Sequence, residues 1–338
     1  MNKALYVGNE TIDIEPCEPT TPDPGQVRLK VSHCGVCGTD MHIFHGEMDE
    51  RVEIPQPIGH EMSGVVDEVG TGVKWEKGDR VVVRPLDPCG ECPACDAGHS
   101  HICMNLDFLG IDTHGAMQAY WNVPAHTLHR VPDGLDLKVA ALIEPLAVAC
   151  HDVRRCGLTA QEQATIIGGG PIGILIAMVA RELGARPLVL EVNPSRVDLA
   201  SDLGLDVLNP RETDVARDVK KRTSGAGADV VFEVSATPSG TELMTELPRP
   251  RGRIVQVGIC SEPQMIDLFA FFWRELQLFG ARVYEPEDFD QAISLAAGAN
   301  LPLNQLITRT IPLSRAEDAF KLMDSQNETM KVLVACQE

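Results

Sequence analysis

Strands and helices alternate after about residue 150, and this alternation constrains the fold more than any other feature of the sequence. The apolar run Ala164–Ile167 is typical of a buried strand and precedes a predicted helix over Pro171–Leu183. The run Pro187–Leu190 precedes a second predicted helix over Ser195–Leu203. Further strands are predicted over Val230–Val234 and Arg253–Val257. This order predicts a parallel, doubly wound sheet with helices on its faces.

A glycine-rich turn connects the first strand of that series to the first helix. It has the pattern Gly-x-Gly-x-x-Gly and comprises Gly168, Gly170, Pro171, Ile172 and Gly173. Glycine permits a tight turn and a close approach of a pyrophosphate to the N–H groups at the start of a helix. Because the turn lies between a strand and a helix, it predicts a dinucleotide site.

The second strand ends at Glu191, where a carboxylate would accept hydrogen bonds from both hydroxyls of the adenosine ribose. A 2′-phosphate would be repelled there, so NAD is expected in preference to NADP. Arg196 leaves a choice open, because its guanidinium could receive a phosphate or lie against the adenine.

A zinc site is indicated by cysteines with the spacing C-x-x-C-x-x-C-x7-C. They are Cys89, Cys92, Cys95 and Cys103. Four protein thiolates complete a tetrahedron and leave no position for a substrate, so this zinc is expected to be structural. His99 and His101 fall inside the segment and could each replace a cysteine as ligand.

A second set of metal-ligating residues precedes this segment. Cys37 and His60-Glu61 supply a thiolate, an imidazole and a carboxylate, and Glu144 is an alternative carboxylate. Three protein ligands leave the fourth position of a tetrahedron open, which is the arrangement of a catalytic zinc. Each residue alone also has an ordinary structural interpretation, as a core side chain or as the start of a helix.

Charge and cysteine content exclude some functions. The chain has 338 residues and a net charge of −20, so an anionic membrane or a nucleic acid is not expected as a partner. The number of cysteines is odd, 11, and Met1–Val7 shows no apolar signal segment, which favours a reducing cytoplasm over a disulfide framework. The first 150 residues contain short strand-like runs broken by Gly and Pro and predict an all-β, loop-rich unit.

Taken together, these motifs resemble the zinc-dependent medium-chain alcohol dehydrogenases, over nearly the full length of the chain. The matching runs are Gly35–Asp40, Gly59–Glu61, Gly78–Val81, the four-cysteine segment, Ile143–Leu146 and Gly168–Gly173. The branch of sorbitol, threonine and butanediol dehydrogenases is the most similar, because Glu144-Pro145 stands where other members have a cysteine ligand and Arg282-Val-Tyr284 follows the nucleotide-binding domain.

The resemblance implies an α/β protein with a GroES-like β catalytic domain over residues 1–148 and 283–338 and a Rossmann domain over 149–282. It also implies one catalytic and one structural Zn²⁺ per chain, with NAD as hydride acceptor. Cys37, His60 and either Glu61 or Glu144 would hold the catalytic zinc, while Thr39 and His42 would carry the proton away. A homodimer or homotetramer in the cytoplasm is expected.

The expected reaction is oxidation of a small secondary alcohol, a polyol or a vicinal diol, to the ketone. Polar residues expected near the substrate are Arg282, Tyr284 and the run Asp112–His114. Three further functions stay open at this point: L-threonine 3-dehydrogenase activity, a zinc-free quinone reductase, and a non-enzymatic binding protein on the same scaffold.

Overall fold

The structure is a computed structural model that describes residues 1–298, 300–325 and 329–337. Its strands are β1 (Asn2–Tyr6), β2 (Ile12–Pro16), β3 (Gln26–Val36), β4 (Glu61–Val69), β5 (Arg80–Val83), β6 (Leu86–Asp87), β7 (Asp107–Phe108), β8 (Tyr120–Pro124), β9 (Leu128–Arg130), β10 (Gln163–Ile167), β11 (Arg186–Leu190), β12 (Asp206–Leu208), β13 (Ala228–Glu233), β14 (Pro248–Gln256), β15 (Gln277–Gly280), β16 (Ile307–Pro312) and β17 (Lys331–Ala335). Its helices are α1 (Gly38–Phe44), α2 (Pro93–Asp96), α3 (Leu137–Ala140), α4 (Ile143–Arg155), α5 (Pro171–Glu182), α6 (Pro194–Asp202), α7 (Val215–Arg222), α8 (Pro238–Glu246), α9 (Leu268–Arg274), α10 (Pro286–Ala297) and α11 (Ala316–Asp324).

Backbone contacts divide the chain into two compact units. Unit 1 comprises Met1–Glu144 and Glu285–Glu338, and unit 2 comprises Pro145–Tyr284. The divisions expected from the sequence fall after residues 148 and 282.

Unit 2 contains the predicted doubly wound sheet. Its six strands are parallel and run in the order β12-β11-β10-β13-β14-β15. The order reverses between β10 and β13, and ligands of such sheets bind at the carboxyl ends of the strands flanking that point. One core cluster joins Leu188, Val231 and Ile254 of the sheet with Val219 of α7 and Met244 of α8. The strands and helices predicted from apolar runs are confirmed to within a few residues.

Unit 1 is built on a seven-stranded sheet. Its main path is β16-β17-β3-β4-β5-β9, and β8 also pairs with β3. The central strand β3 pairs antiparallel with both β17 and β4, so residues from distant parts of the sequence lie side by side. The expectation of an all-β unit over the first 150 residues was wrong, because α1, α2, α3 and the start of α4 lie there, and α1 follows β3 directly. Cys37 begins that helix as its N-cap, and a cysteine is not among the usual capping residues.

No helix among the described residues is long and apolar enough to cross a membrane.

Candidate active site and metal centres

Cys37, His60 and Glu61 come together in unit 1. One ligand atom from each lies within 4.8 Å of the other two, and Cys37 Sγ is 3.3 Å from His60 Nε2. The sheet brings them together, because Cys37 immediately follows β3 and Glu61 begins β4, which pairs with it. Soft thiolate, imidazole and carboxylate form a donor set that suits Zn²⁺.

Asp40 supports two of these groups from the first turn of α1. Its Oδ2 accepts a hydrogen bond from the Cys37 backbone N–H at 2.9 Å, and its Oδ1 lies 3.6 Å from His60 Nδ1. The side chain is fully buried. A carboxylate at Nδ1 directs the other ring nitrogen, Nε2, toward a metal, and such outer partners orient metal-bound histidines generally.

The electrostatics of this cluster call for a cation. Burial alone would lower the pKa of His60, but the Cys37 thiolate and the Asp40 carboxylate outweigh it and raise that pKa well above the usual range. These negative groups are therefore arranged to stabilise positive charge at Nε2. A zinc ion would supply that charge in place of the proton, because a ligating imidazole must be neutral.

Lys331 is a member of this site that the motifs in the sequence did not reveal. Its Nζ lies 2.7 and 2.5 Å from the two carboxylate oxygens of Glu61 and 3.3 Å from the carbonyl oxygen of Val36. Both charged side chains are buried. Burial alone would lower the pKa of Lys331, but the negative charges of Glu61, Cys37 and Glu144 raise it. One signal was present, since Lys331 is the only charged residue of the apolar strand β17.

Gly35 makes this pairing sterically possible. It lies opposite Glu61 in the β3–β4 pairing, and Val36 lies opposite Val332 in the β17–β3 pairing. A Cβ at Gly35 would come within 2.2 Å of Glu61 Oε2. The lysine on β17 therefore reaches the glutamate on β4 across a strand that lacks a side chain at the point of passage.

The remaining predicted catalytic residues lie in the same unit. Thr39 donates its backbone N–H to Cys37 Sγ at 3.2 Å, and His42 Nδ1 lies 2.6 Å from Glu47 Oε2. Glu144 is buried in the first turn of α4 but does not belong to the group formed by Cys37. Only Glu61 of the two candidate carboxylates is thus within ligand distance of both other groups.

The four cysteines of the predicted structural site also converge. Sulfur–sulfur distances are 3.6 Å for Cys92–Cys95, 3.8 Å for Cys92–Cys103 and 3.4 Å for Cys103–Cys89. Zn–S bonds of about 2.3 Å give a tetrahedron with edges of about 3.8 Å, which these distances approach. The backbone N–H of Met104, followed by other hydrogen bonds, lowers the pKa of Cys92 to about 6, whereas burial and the contact with Cys92 raise the pKa of Cys95. Without a metal, therefore, Cys92 is the thiolate and Cys95 keeps its proton, and zinc binding would displace that proton.

The dinucleotide motif of unit 2 has the expected geometry. Gly168 follows β10 with a φ of +106°, and Gly170 is the N-cap of α5 with Pro171 at its first position. A Cβ on Gly173 would approach the Gly168 carbonyl oxygen to 1.9 Å. The loop after β13 lies beside this turn, since Ser235 N is 3.1 Å from a Cβ built on Gly168. The turn therefore lies where the strand order of the sheet reverses.

Glu191 is fixed at the end of β11, beside this turn. Its Oε2 accepts a hydrogen bond from Gly169 N at 2.8 Å, and its Oε1 accepts from Val192 N at 2.6 Å and Asn193 N at 2.7 Å. Arg196 Nη1 lies 3.8 Å from a Cβ built on Gly170, and its buried Nε has no hydrogen-bond partner among the described residues. The carboxylate of Glu191 is placed to accept hydrogen bonds from an adenosine ribose, and the guanidinium of Arg196 is placed to contact the adenosine end of a dinucleotide.

Of the polar residues expected near the substrate, Asp112 is held by other residues and Tyr284 is enclosed. Arg51 binds the Asp112 carboxylate through two contacts of 2.7 Å, and Phe108 N donates to it at 2.9 Å. Tyr284 is fully buried. His114 and Arg282 are exposed.

Comparison with known proteins identifies the family. Residues 23–133 match the alcohol dehydrogenase GroES-like domain, and residues 171–298 match the zinc-binding dehydrogenase domain. A 2-dehydro-3-deoxy-L-galactonate 5-dehydrogenase from Pseudoalteromonas atlantica is 53% identical over 337 residues, covering 99% of both chains. The crystal structure of 2R,3R-butanediol dehydrogenase from Bacillus subtilis shares 30% identity with a TM-score of 0.90, and covers 99% of both chains. That of an alcohol dehydrogenase from Escherichia coli, in complex with NADH, shares 29% identity with a TM-score of 0.92, again over 99% of both chains.

The chain therefore belongs to the zinc-type medium-chain alcohol dehydrogenases. It is an oxidoreductase that acts on alcohols, built from a GroES-like unit and a Rossmann-type unit.

Proposed function

We propose that this enzyme oxidises a secondary hydroxyl of a polyhydroxylated small molecule to the ketone, with NAD as hydride acceptor. The observation that carries the proposal is the convergence of Cys37, His60 and Glu61, backed by the buried partners Asp40 and Lys331. Burying four of these five polar side chains, all except Cys37, costs desolvation free energy, which a catalytic metal site explains and a binding protein on this scaffold does not.

Cys37 and His60 would hold the catalytic zinc, with Glu61 as the carboxylate nearest to them. What supports Glu61 over Glu144 is its place within 4.8 Å of both other ligand atoms. The ammonium of Lys331 binds both oxygens of Glu61 and would restrain this carboxylate when a metal is bound. Cys89, Cys92, Cys95 and Cys103 would hold the structural zinc.

Cys37 and His60 would hold a zinc ion, which would supply a Lewis acid that lowers the pKa of an alcohol hydroxyl. The turn Gly168–Gly173 would hold NAD, which would supply the hydride acceptor. The protein must also take up a proton, and Thr39 and His42 are proposed for that task. Glu47 accepts a hydrogen bond from His42 Nδ1, which leaves Nε2 to take the proton.

Cofactor preference is proposed to follow from Glu191. Its carboxylate is held by three backbone N–H groups and retains lone pairs for the ribose hydroxyls. We expect NAD to be preferred, and Glu191→Ser to relax the preference by removing the charge that repels a 2′-phosphate. Arg196→Ala is the matched control, because losing a cation beside the same turn should weaken NADP further. Equal catalytic efficiency with both cofactors in the parent would contradict the assignment.

The substrate is proposed to be a sugar acid or polyol rather than a simple alcohol. The 53% identical relative is a dehydrogenase of a 2-dehydro-3-deoxy-galactonate, and the solved neighbour from Bacillus subtilis is a butanediol dehydrogenase. A site built to hydrogen-bond a second hydroxyl rejects substrates that lack it, because its own polar groups are left unpaired.

The test is NAD reduction measured on a panel of sugar acids, polyols, vicinal diols, L-threonine and simple alcohols. The matched pair 2,3-butanediol and 2-butanol isolates the neighbouring hydroxyl, and a 2-dehydro-3-deoxy-aldonate against its parent polyol isolates the acid. Equal or better efficiency on the mono-alcohol overturns the substrate class, and best turnover of L-threonine favours a threonine dehydrogenase. Metal analysis distinguishes a quinone reductase or a binding protein on this scaffold, because either would lack the zinc at Cys37.

A homodimer or homotetramer is proposed from an apolar surface of unit 2. Leu268, Phe269, Phe272 and Trp273 on α9 are each between 66% and 77% exposed. Strand β15, at the edge of the sheet, offers unpaired backbone groups beside it. A second copy could cover this surface, and Phe272→Asp should then reduce the mass measured by light scattering. Leu183→Asp, at another exposed leucine of the same unit, is the control and should leave the mass unchanged.

A cytoplasmic location is proposed from the cysteines. All 11 are free thiols, including the four that converge at Cys92, and such sites persist where thiols stay reduced. Fractionation of cells should find the protein with other cytoplasmic enzymes.

A further inference from the structure

His99 and His101 lie in the four-cysteine segment but do not join its sulfur cluster. The four sulfurs group with one another, whereas the two imidazoles group with Glu285, a residue far away in the sequence. All three belong to unit 1. We propose that His99, His101 and Glu285 form a third metal site, which takes a borderline divalent ion such as Zn²⁺ or Ni²⁺.

The geometry suits one ion. His99 Nδ1 lies 3.2 Å and His101 Nδ1 lies 3.7 Å from the same oxygen, Glu285 Oε1. The two rings are nearly perpendicular, at 88°, with centroids 6.1 Å apart, so their nitrogens approach the carboxylate from different directions. Ligand bonds of about 2.0–2.1 Å in a tetrahedron separate neighbouring ligand atoms by about 3.3 Å, close to the distances found.

The chemistry suits the same ions. Two imidazoles and one carboxylate are a ligand set that zinc uses in open sites, and imidazole also suits Ni²⁺ and Cu²⁺. The protein's net charge of −20 attracts cations to its surface. A divalent ion bound at Glu285 would reduce the repulsion among the negative charges of the protein.

The backbone holds two of the three ligands in place. Glu285 is the N-cap of α10, and its backbone N–H donates to the buried Asp288 at 2.9 Å. His101 lies in the short 3₁₀ helix Ser100–Ile102, and its side chain is only 8% exposed. The His99 side chain is 57% exposed, which leaves a path for an ion and room for water as a further ligand. Binding would connect the four-cysteine segment to the start of α10.

A plain histidine–carboxylate pair elsewhere in the unit provides the comparison. His126 Nε2 lies 2.9 Å from Asp87 Oδ1, and its side chain is 58% exposed, almost the same as that of His99. One imidazole faces the carboxylate in this pair, whereas His99 and His101 both face Glu285. His126→Ala is therefore the matched control for His99→Ala.

The experiment starts from the purified holoenzyme, whose own metal content is measured first. Titration with Zn²⁺ alone, monitored by calorimetry, should show one additional equivalent bound above that baseline. His99→Ala and Glu285→Gln should lower the affinity for this additional equivalent by more than about tenfold, in line with the cost of disturbing a ligand shell. His126→Ala should retain it. Thermal melting of each variant without added metal checks that the fold is intact.

Co²⁺ identifies the donors. Bound by nitrogen and oxygen it should add no sulfur-to-metal charge-transfer absorption, whereas binding at a cysteine site adds it. The proposal is overturned if the parent binds no additional equivalent, if His99→Ala binds it equally well, or if the absorption reports thiolate ligands. Because each variant is compared with its own baseline, the result is independent of whether Cys37 and His60 carry zinc.

Discussion

The two zinc-type clusters of unit 1 are built in different ways. The four cysteines are supplied by one short segment, and their sulfurs contact mainly each other and nearby backbone N–H groups. Cys37, His60 and Glu61 lie at the ends of two paired strands and contact Asp40 and Lys331, the latter 270 residues from Glu61 in sequence. The first, the four-cysteine cluster, is positioned by one short segment of the chain. The second, the mixed cluster of Cys37, His60 and Glu61, combines different ligand types, and its positions depend on strand pairing across the sheet.

The sharpest test of this contrast is the loss of one ligand from the mixed cluster. We expect Cys37→Ser to lower kcat/KM by about 10³-fold or more, because Lewis acid stabilisation contributes several kcal/mol to the transition state. The melting temperature should change little, since the strands around it are already paired. Cys17→Ser, at a buried cysteine outside both clusters, is the control. Loss of the cooperative melting transition in Cys37→Ser would show that this cluster is needed for folding, contrary to the contrast drawn above.

Removing the ammonium of Lys331, which contacts Glu61 of the mixed cluster, should lower the free energy of unfolding as well as activity. Lys331→Met leaves Glu61 as a buried carboxylate without its cation, and breaking a buried pair costs about 3–5 kcal/mol. Adding Glu61→Gln should restore part of the free energy of unfolding, because it removes the uncompensated charge. Denaturant unfolding of the parent, the two single variants and the double variant measures the coupling. Strictly additive effects would show that the pair does not act as a unit.

Loss of a ligand from the four-cysteine cluster should lower stability and leave turnover unchanged, the reverse of the effect expected for Cys37→Ser. Cys92→Ser should reduce the zinc content by one equivalent and lower the melting temperature by about 5 °C or more, because structural zinc contributes folding free energy directly. Turnover per folded subunit should persist. Metal analysis with calorimetric melting checks the first part, and active-site titration checks the second. A stable but inactive variant would exchange the roles of the two clusters.

The smallest expected effect is at Asp40. Asp40→Asn keeps the size of the side chain but removes the negative charge facing His60, and outer partners of this kind contribute about 10–100-fold in metal affinity. Zinc at the four cysteines should be unaffected. Competition with a chelator, followed by metal analysis, separates the two sites. Parallel loss from both would mean that Asp40 acts on the fold as a whole.

Patterns local in sequence predicted most of what was found. Apolar runs and the glycine turn predicted β10, α5 and β11, because the elements of a parallel sheet carry their own periodicity and end signals. The cysteine spacing predicted a four-sulfur cluster, because its ligands lie on one short segment.

What the sequence could not predict depends on strand pairing. The contact of Lys331 with Glu61 follows from the register of three strands, and register is not visible in any local pattern. The same applies to His99 and His101, which the sequence offered only as alternative ligands at the four-cysteine site and which in the fold face Glu285. The proposal of Glu61 rather than Glu144 as the third ligand likewise rests on distances between elements, which the sequence does not contain.

The passage of Lys331 across Gly35 has a consequence for biosynthesis. Ribosomes add about 5–20 residues per second, so the 270 residues that separate Glu61 from Lys331 take roughly 15–50 s to translate. During that interval all of unit 2 is synthesised, while the carboxylate of Glu61 still lacks its ammonium partner. Unit 2 can therefore be fully synthesised before Glu61 acquires its ammonium partner, which arrives only when strand β17 joins the sheet.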